Sequence, residues 1–327
     1  MMALTATTWP IAAAMLPFER TMPKRDDDDT IRSMWSQALE EVADAGFDNV
    51  DLTDSWVACA DLVPRHRAML REAMDDAGVS AIALSAIRRS IIDAEHGEEN
   101  LAYSHRTLDV AAELGIGVVS FGLHQALTAA QREVLWFWTV PGHQDRPDDH
   151  EARRLAVRRF RELGEHAQQL GILVSLEMYE HTYLGSASSA VQLVEEIGLP
   201  SVGLNPDIGN LIRLHEPVAD WRETLRATLP YSNYWHVKNY LRDEEPSTGA
   251  VMTHPASLES GFIDYRWALR EAVAAGFQGA ICVEHYGGDG LSVSATNRDH
   301  LRNRVLPRRQ TAHGRSRVAQ QYEGSER

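Results

Sequence analysis

Cysteine is almost missing from this chain. Two residues, Cys59 and Cys282, among 327 cannot build a disulfide framework. Each is read as a small buried hydrophobe, in keeping with a reducing cytoplasm. Basic charge is also short: 47 Asp and Glu face 32 Lys and Arg, a net charge of −15. A surface with that balance is not built for nucleic acid or an anionic membrane. No apolar run is long enough to span a bilayer. The N-terminal patch from Trp9 to Phe18 lacks a basic leader and reads as a first core strand, not a signal peptide. A glycine-rich phosphate loop after an early strand is missing too, which argues against a doubly wound nucleotide-binding sheet.

What is present is a repeat of junctions. A polar amphipathic run ends at a glycine, and an apolar run follows: ADAGFDNVDL, DDAGVSAIAL, AELGIGVVSF, QQLGILVSLE, EEIGLPSVGL and AAGFQGAICV. A glycine just past a helix takes the left-handed conformation that closes the last turn. The spacing predicts eight strands: Ile11–Leu16, Asn49–Thr53, Ser80–Ser85, Gly117–Gly122, Ile172–Met178, Val202–Asn205, Tyr234–Lys238 and Ala280–Glu284. Eight β/α units in one chain predict an α/β protein of the closed (β/α)₈ TIM-barrel class. In EARRLAVRRFRELGEHAQQL, residues Ala152, Ala156, Phe160, Leu163, Ala167 and Leu170 form one apolar stripe at helical spacing.

One barrel is expected over residues 1–306, with lid-like insertions near 125–150 and 241–261. The aspartate run Asp26–Asp29 reads as a solvated loop with a helix N-cap. The polar tail, 307–327, lacks an apolar period and is expected to fray.

Strand alternation then selects the candidate chemistry. In YWHVK, Val237 faces the helices, so His236 and Lys238 face inward. The same alternation turns Glu177, Asp207 and Glu284 inward on the fifth, sixth and eighth strands. Four successive strands thus bring Glu177, Asp207, His236 and Glu284 to one end of the barrel, where such enzymes keep their sites. Three carboxylates and an imidazole suit a divalent cation; Mn²⁺ is favoured, with Mg²⁺, Co²⁺ or Zn²⁺ as alternatives. Without an ion, three inward carboxylates would repel.

These residues resemble the sugar isomerase/epimerase barrels of the xylose-isomerase-like, AP-endonuclease-2 superfamily, from about Trp9 to His285. In that resemblance the metal quartet falls on Glu177, Asp207, His236 and Glu284. An arginine six residues after the ligand histidine holds substrate, which implies that role for Arg242. A histidine usually stands three residues after the ligand aspartate; here it is Asn210, which argues against a plain ketose epimerase. Three stretches are similar to the alpha subunit of C-glycoside deglycosidases: LWFWTVPGHQDRPDDHEARRLAVRRFRELGEHA, SLEMYEHTYLGSASSAVQLVEEIGLPSVGLNPDIGNLIRLHEPVADW and YWHVKNYLRDEEPSTG. That family pairs with a smaller beta subunit in a hetero-oligomer and acts on 3-keto C-glycosides.

The implied reaction is a lyase reaction. A C2 hydrogen beside the C3 ketone is removed, and the aromatic, flavonoid-like aglycone leaves C1 by β-elimination. His143, His181 and His254 are candidates for the acid and base, with His285 beside Glu284 as a further contact. Lys238 either steadies the enolate or pairs with a ligand carboxylate. Trp136 and Trp138 either stack the aglycone or bury against the barrel rim. A metal-dependent sugar or inosose isomerase acting through an enediolate is the alternative function.

Overall fold

The computed structural model describes residues 4–22, 27–309 and 313–322. Eight parallel strands form the sheet: β1 (Ile11–Ala14), β2 (Asn49–Thr53), β3 (Ser80–Ala86), β4 (Val118–Phe121), β5 (Leu173–Glu177), β6 (Val202–Asn205), β7 (Trp235–Val237) and, after an excursion, β10 (Ile281–Val283). Their order is β6-β5-β4-β3-β2-β1-β10-β7, and a parallel bridge from Leu204 to Ser232 brings β6 back towards β7. The sheet is therefore a nearly closed TIM barrel, as the junction pattern predicts. The six junction glycines all have positive φ. At Gly171 an added Cβ would meet nothing within 4 Å, so backbone conformation alone selects glycine there.

Helices cover the outside. In His150–Leu170, Ala156, Phe160, Leu163 and Ala167 are fully buried, with Ala152 and Leu170 at the margins of the stripe. Asp149 caps this helix, accepting from the Ala152 N–H at 2.9 Å. Asp27 does the same for the helix Asp28–Asp44 through Thr30 N–H; Asp26 lies outside the described residues. Inside the barrel a small layer of Ala12, Ala14, Ala83, Val118, Tyr234, Ala280 and Cys282 fills the lower half. Both thiols are buried and free, and burial pushes the Cys59 thiol up to about 12. No helix among the described residues is long and apolar enough to cross a membrane.

Two expectations need correction. The 241–261 loop is largely an antiparallel hairpin, β8 (Asn239–Glu245) with β9 (Ala250–Ala256). Its inner face buries Tyr240, Arg242 and Thr253, while Leu241, Met252 and His254 point to solvent. The tail, expected to fray, makes specific contacts over 313–322 beneath the barrel. Ala319 N–H donates to Pro200 O and Arg317 N–H to Pro230 O, both at 2.8 Å. Gln320 Nε2 donates to Ser232 O at 2.8 Å, and Gln321 Nε2 to Ile82 O at 3.2 Å. These backbone groups sit at strand starts, which explains how a polar segment packs without an apolar period.

Candidate functional site

His236 is the centre of the barrel mouth. Trp235 and Val237 beside it are buried towards the helices, so β7 turns the imidazole inward. Its backbone N–H donates to Asn205 Oδ1 at 2.7 Å. Its two ring nitrogens face different partners. Nε2 lies 3.0 Å from Asp51 Oδ2. Nδ1 lies 4.0 Å from both Glu177 Oε1 and Asp207 Oδ2.

Asp51, on β2, is held in turn. Ser85 Oγ donates to its Oδ2 at 2.7 Å and Tyr234 OH at 2.5 Å. A carboxylate behind an imidazole fixes the ring and raises its basicity. Burial pulls the His236 pKa down, but the Asp51 hydrogen bond and the charges of Glu177, Asp51 and Glu284 outweigh it and lift it to about 9. Burial pushes Glu177 up to about 7, with His236 opposing.

Glu177, Asp207 and His236 offer donor atoms that all lie within 4.8 Å of one another, and all three are buried. Glu284 reaches the group through Lys238 instead. Lys238 Nζ pairs with Glu284 Oε2 and lies 2.7 Å from Asp207 Oδ2. Of its two expected roles, the structure shows the pairing with carboxylates. Burial favours a neutral Glu284, yet the lysine charge holds its carboxyl below the usual range. A Cβ at Gly209 would lie 2.5 Å from Lys238 Cγ, so glycine there lets the lysine through.

The donor set fits a divalent cation. His236 Nδ1 and Asp207 Oδ1 are buried without a hydrogen-bond partner, while Asp207 Oδ2 pairs with Lys238 Nζ at 2.7 Å. Orphaned buried polar atoms of this kind are costly unless something satisfies them. Two carboxylates and one imidazole are suitable ligands for Mg²⁺ or Mn²⁺.

The other expected residues separate into groups. Asn210 is buried, and its Nδ2 donates to Glu177 Oε1 and Met178 O, both at 2.9 Å, and so orients a cluster carboxylate. Arg242, expected to hold substrate, is occupied elsewhere. It donates to Ile212 O at 2.8 Å, to Leu214 O, to Glu216 O at 2.6 Å and to Glu244 Oε1 at 2.6 Å. The hairpin carries it under the 212–216 loop, which it pins. His254 sits on the exposed face of β9, away from the cluster. His285 is half-buried and its pKa is lowered by burial.

His143 and His181 line one cleft over the mouth, together with Arg88, His124, Trp138 and Tyr179. His143 Nε2 is 2.7 Å from Gln125 Nε2. His181 has a left-handed backbone, φ 57°, and its carbonyl accepts from Asp145 N–H at 2.8 Å. Trp138 is buried, donates to Thr253 Oγ1 at 3.1 Å and stacks on Trp136. The Trp138 side chain is thus part of the rim; half-buried Trp136 lies over Gly287.

Sequence reasoning missed three residues. Asp51 was signalled by an acid at an inward position of NVDLT. His124 follows β4, is buried, and stacks on Tyr179 with ring centroids 4.3 Å apart. Its Nδ1 has no partner. Burial, reinforced by Arg88, Arg213, Lys238 and His236, drives its pKa well below the ordinary value, so the ring is neutral. Arg213 is fully buried, with Nη2 at 2.7 and 2.9 Å from the two Glu180 oxygens. Phe137, Trp138, Tyr179 and Tyr286 surround its guanidinium at 4.7 to 6.0 Å.

The family model described as a xylose isomerase-like TIM barrel matches residues 39–304. The chain belongs to that family. A solved xylose isomerase-like TIM-barrel protein from Mycobacterium smegmatis, in complex with magnesium, is 43% identical, covering 92% of this chain and 97% of its own, with a TM-score of 0.86. The 3-keto-D-glucoside 4-epimerase YcjR from E. coli is 14% identical over 90% of this chain and 100% of its own, with a TM-score of 0.61, a likeness of fold alone. The probable L-ribulose-5-phosphate 3-epimerase UlaE of Mycoplasma pneumoniae is 30% identical over 74 residues. That match spans 23% of this chain and about a quarter (24%) of that curated relative.

Asp51 gives a direct test of the His236 geometry. Asp51→Asn keeps the size but removes the charge behind the ring. Divalent-metal affinity, measured by titration of chelator-treated protein, is expected to fall about 10–100-fold. Unchanged affinity would mean that Asp51 does not act through His236.

Proposed function

We propose that this chain cleaves the C–C bond of 3-keto C-glycosides and releases the aromatic aglycone. The observation that carries the chemistry is the buried convergence of Glu177, Asp207 and His236 beneath a cleft that holds a neutral imidazole. The three deglycosidase-like stretches supply the substrate class. A divalent ion, Mn²⁺ in first place, would be held by Glu177, Asp207 and His236 with Glu284 alongside, and would supply the positive charge that acidifies a hydrogen next to a ketone.

The chain's own residues do the rest. His124, neutral and unpartnered at Nδ1, accepts the C2 proton. The electron pair left at C2 forms the C1=C2 double bond, and the C1–aryl bond breaks. His143, exposed enough to exchange protons with solvent, returns a proton to the leaving aryl carbon. Arg213 and its aromatic ring of neighbours keep water from the mouth. A smaller partner subunit would dock on the outer face of the hairpin, where Leu241 and Met252 are exposed.

A second reading has its own support. Lys238 and His124 are two proton-handling groups at the mouth, on different strands, as a two-base enediolate isomerisation of a sugar or inosose requires. Incubating the chain, with and without a co-expressed small partner, with a 3-keto C-glucoside and separately with free ketoses separates the two. Release of free aglycone in the first assay is the expected result. Isomer formation in the second, with no aglycone in the first, would overturn the lyase.

A further inference from the structure

Away from the barrel mouth, four titratable side chains on two neighbouring helices form a closed square. The helix Gly97–Leu114 carries His105 and, one turn on, Asp109. The helix His150–Leu170 carries Glu162 and His166 at the same spacing. Each histidine reaches across to the acid of the other helix. His105 Nε2 is 2.9 Å from Glu162 Oε1, and His166 Nε2 is 3.0 Å from Asp109 Oδ1. The two Nδ1 atoms then meet at 2.9 Å, with ring centroids 5.0 Å apart. The histidine side chains are 27% and 25% exposed, open enough for an ion to enter.

The hydrogen positions follow from the partners. A carboxylate oxygen only accepts, so each Nε2 carries the ring hydrogen. A neutral imidazole with hydrogen on Nε2 has a lone pair on Nδ1. Two lone pairs therefore face each other across 2.9 Å, which is repulsive unless a positive centre joins them. Two nitrogens bound at right angles to one ion, as in the tetragonal geometry of Cu²⁺, each at about 2.0–2.1 Å, are separated by about 2.9 Å. Glu162 and Asp109 already give both rings the carboxylate backing usual behind a metal-bound histidine. Two imidazole donors favour Cu²⁺, Ni²⁺ or Zn²⁺ over Mg²⁺ or Ca²⁺.

We propose that His105 and His166 form a surface metal site that takes one ion of the Cu²⁺/Zn²⁺ class, with water completing its coordination. The site is independent of the reaction assigned to the barrel mouth. The test is isothermal titration of chelator-treated full-length protein with ZnCl₂, repeated with CuCl₂ and followed by electron paramagnetic resonance. His105→Ala and His166→Ala are each expected to bind one equivalent fewer than the unaltered chain, whatever the mouth binds. The unaltered chain should show a copper signal split by two nitrogens that both variants lose. Glu162→Gln should weaken this site about tenfold or more while keeping its stoichiometry. Should an alanine variant fold poorly, His166→Gln serves in its place, and the copper spectrum of the unaltered chain needs no variant. Equal stoichiometry in all forms, with no two-nitrogen copper signal, would overturn the proposal and leave the pair sharing a proton.

Discussion

Replacing His236 with alanine is expected to abolish retention of a stoichiometric divalent ion and to lower turnover by roughly 10³-fold or more. Two losses combine. The substitution removes the only nitrogen donor of the Glu177, Asp207, His236 cluster. It also leaves Asp51, Glu177 and Asp207 buried in one compartment, with Lys238 as the nearest remaining cation. Elemental analysis of the purified variant measures the first effect, and the aglycone-release assay the second. His236→Gln, which keeps a polar side chain of similar reach, should restore folding better than metal. Full metal content in His236→Ala would show that the ion sits elsewhere.

Arg213→Met is expected to be among the most destabilising single changes in the protein. The guanidinium is fully buried and bonded to Glu180, itself only 7% exposed. Removing one partner of such a pair strands the other charge, at a cost of about 3–5 kcal/mol. For a chain of this size that corresponds to a fall in Tm on the order of 10 °C. The double variant Arg213→Met with Glu180→Gln should recover most of the loss, because no unpaired charge remains. If the double variant is as unstable as the single one, the packing of the guanidinium against Phe137, Tyr179 and Trp138 is the main contribution. Thermal unfolding of the unaltered chain, Arg213→Met, Glu180→Gln and the double variant resolves the two cases.

The barrel was legible because its punctuation is local. Each glycine junction needs only the preceding helix turn and the following strand, and strand alternation then turns Glu177, Asp207 and His236 to one side. What escaped was non-local or irregular. Asp51 and His236 are 185 residues apart and meet only across the closed barrel. His124 lies just past a strand end, where no period says which way a side chain faces. Arg242 stands at the spacing that the family resemblance associates with substrate, but the hairpin redirects it. The strand NYLRDEE reads as a loop because its outer face is charged and no second sheet covers it. Glu284 joins Glu177, Asp207 and His236 by strand alternation and family resemblance, and neither can show that a lysine comes between them.

The contacts of residues 313–322 with Pro200, Pro230 and Ile82 lie at the strand-start end of the barrel. They tie this stretch of chain to the floor, at the opposite end of the strands from the Glu177 and Asp207 carboxylates. A tether or reporter attached within that stretch, at exposed Arg315 for example, would therefore hang below the barrel and leave the entrance free. The same protein could be anchored to a support from beneath while still receiving large ligands from above.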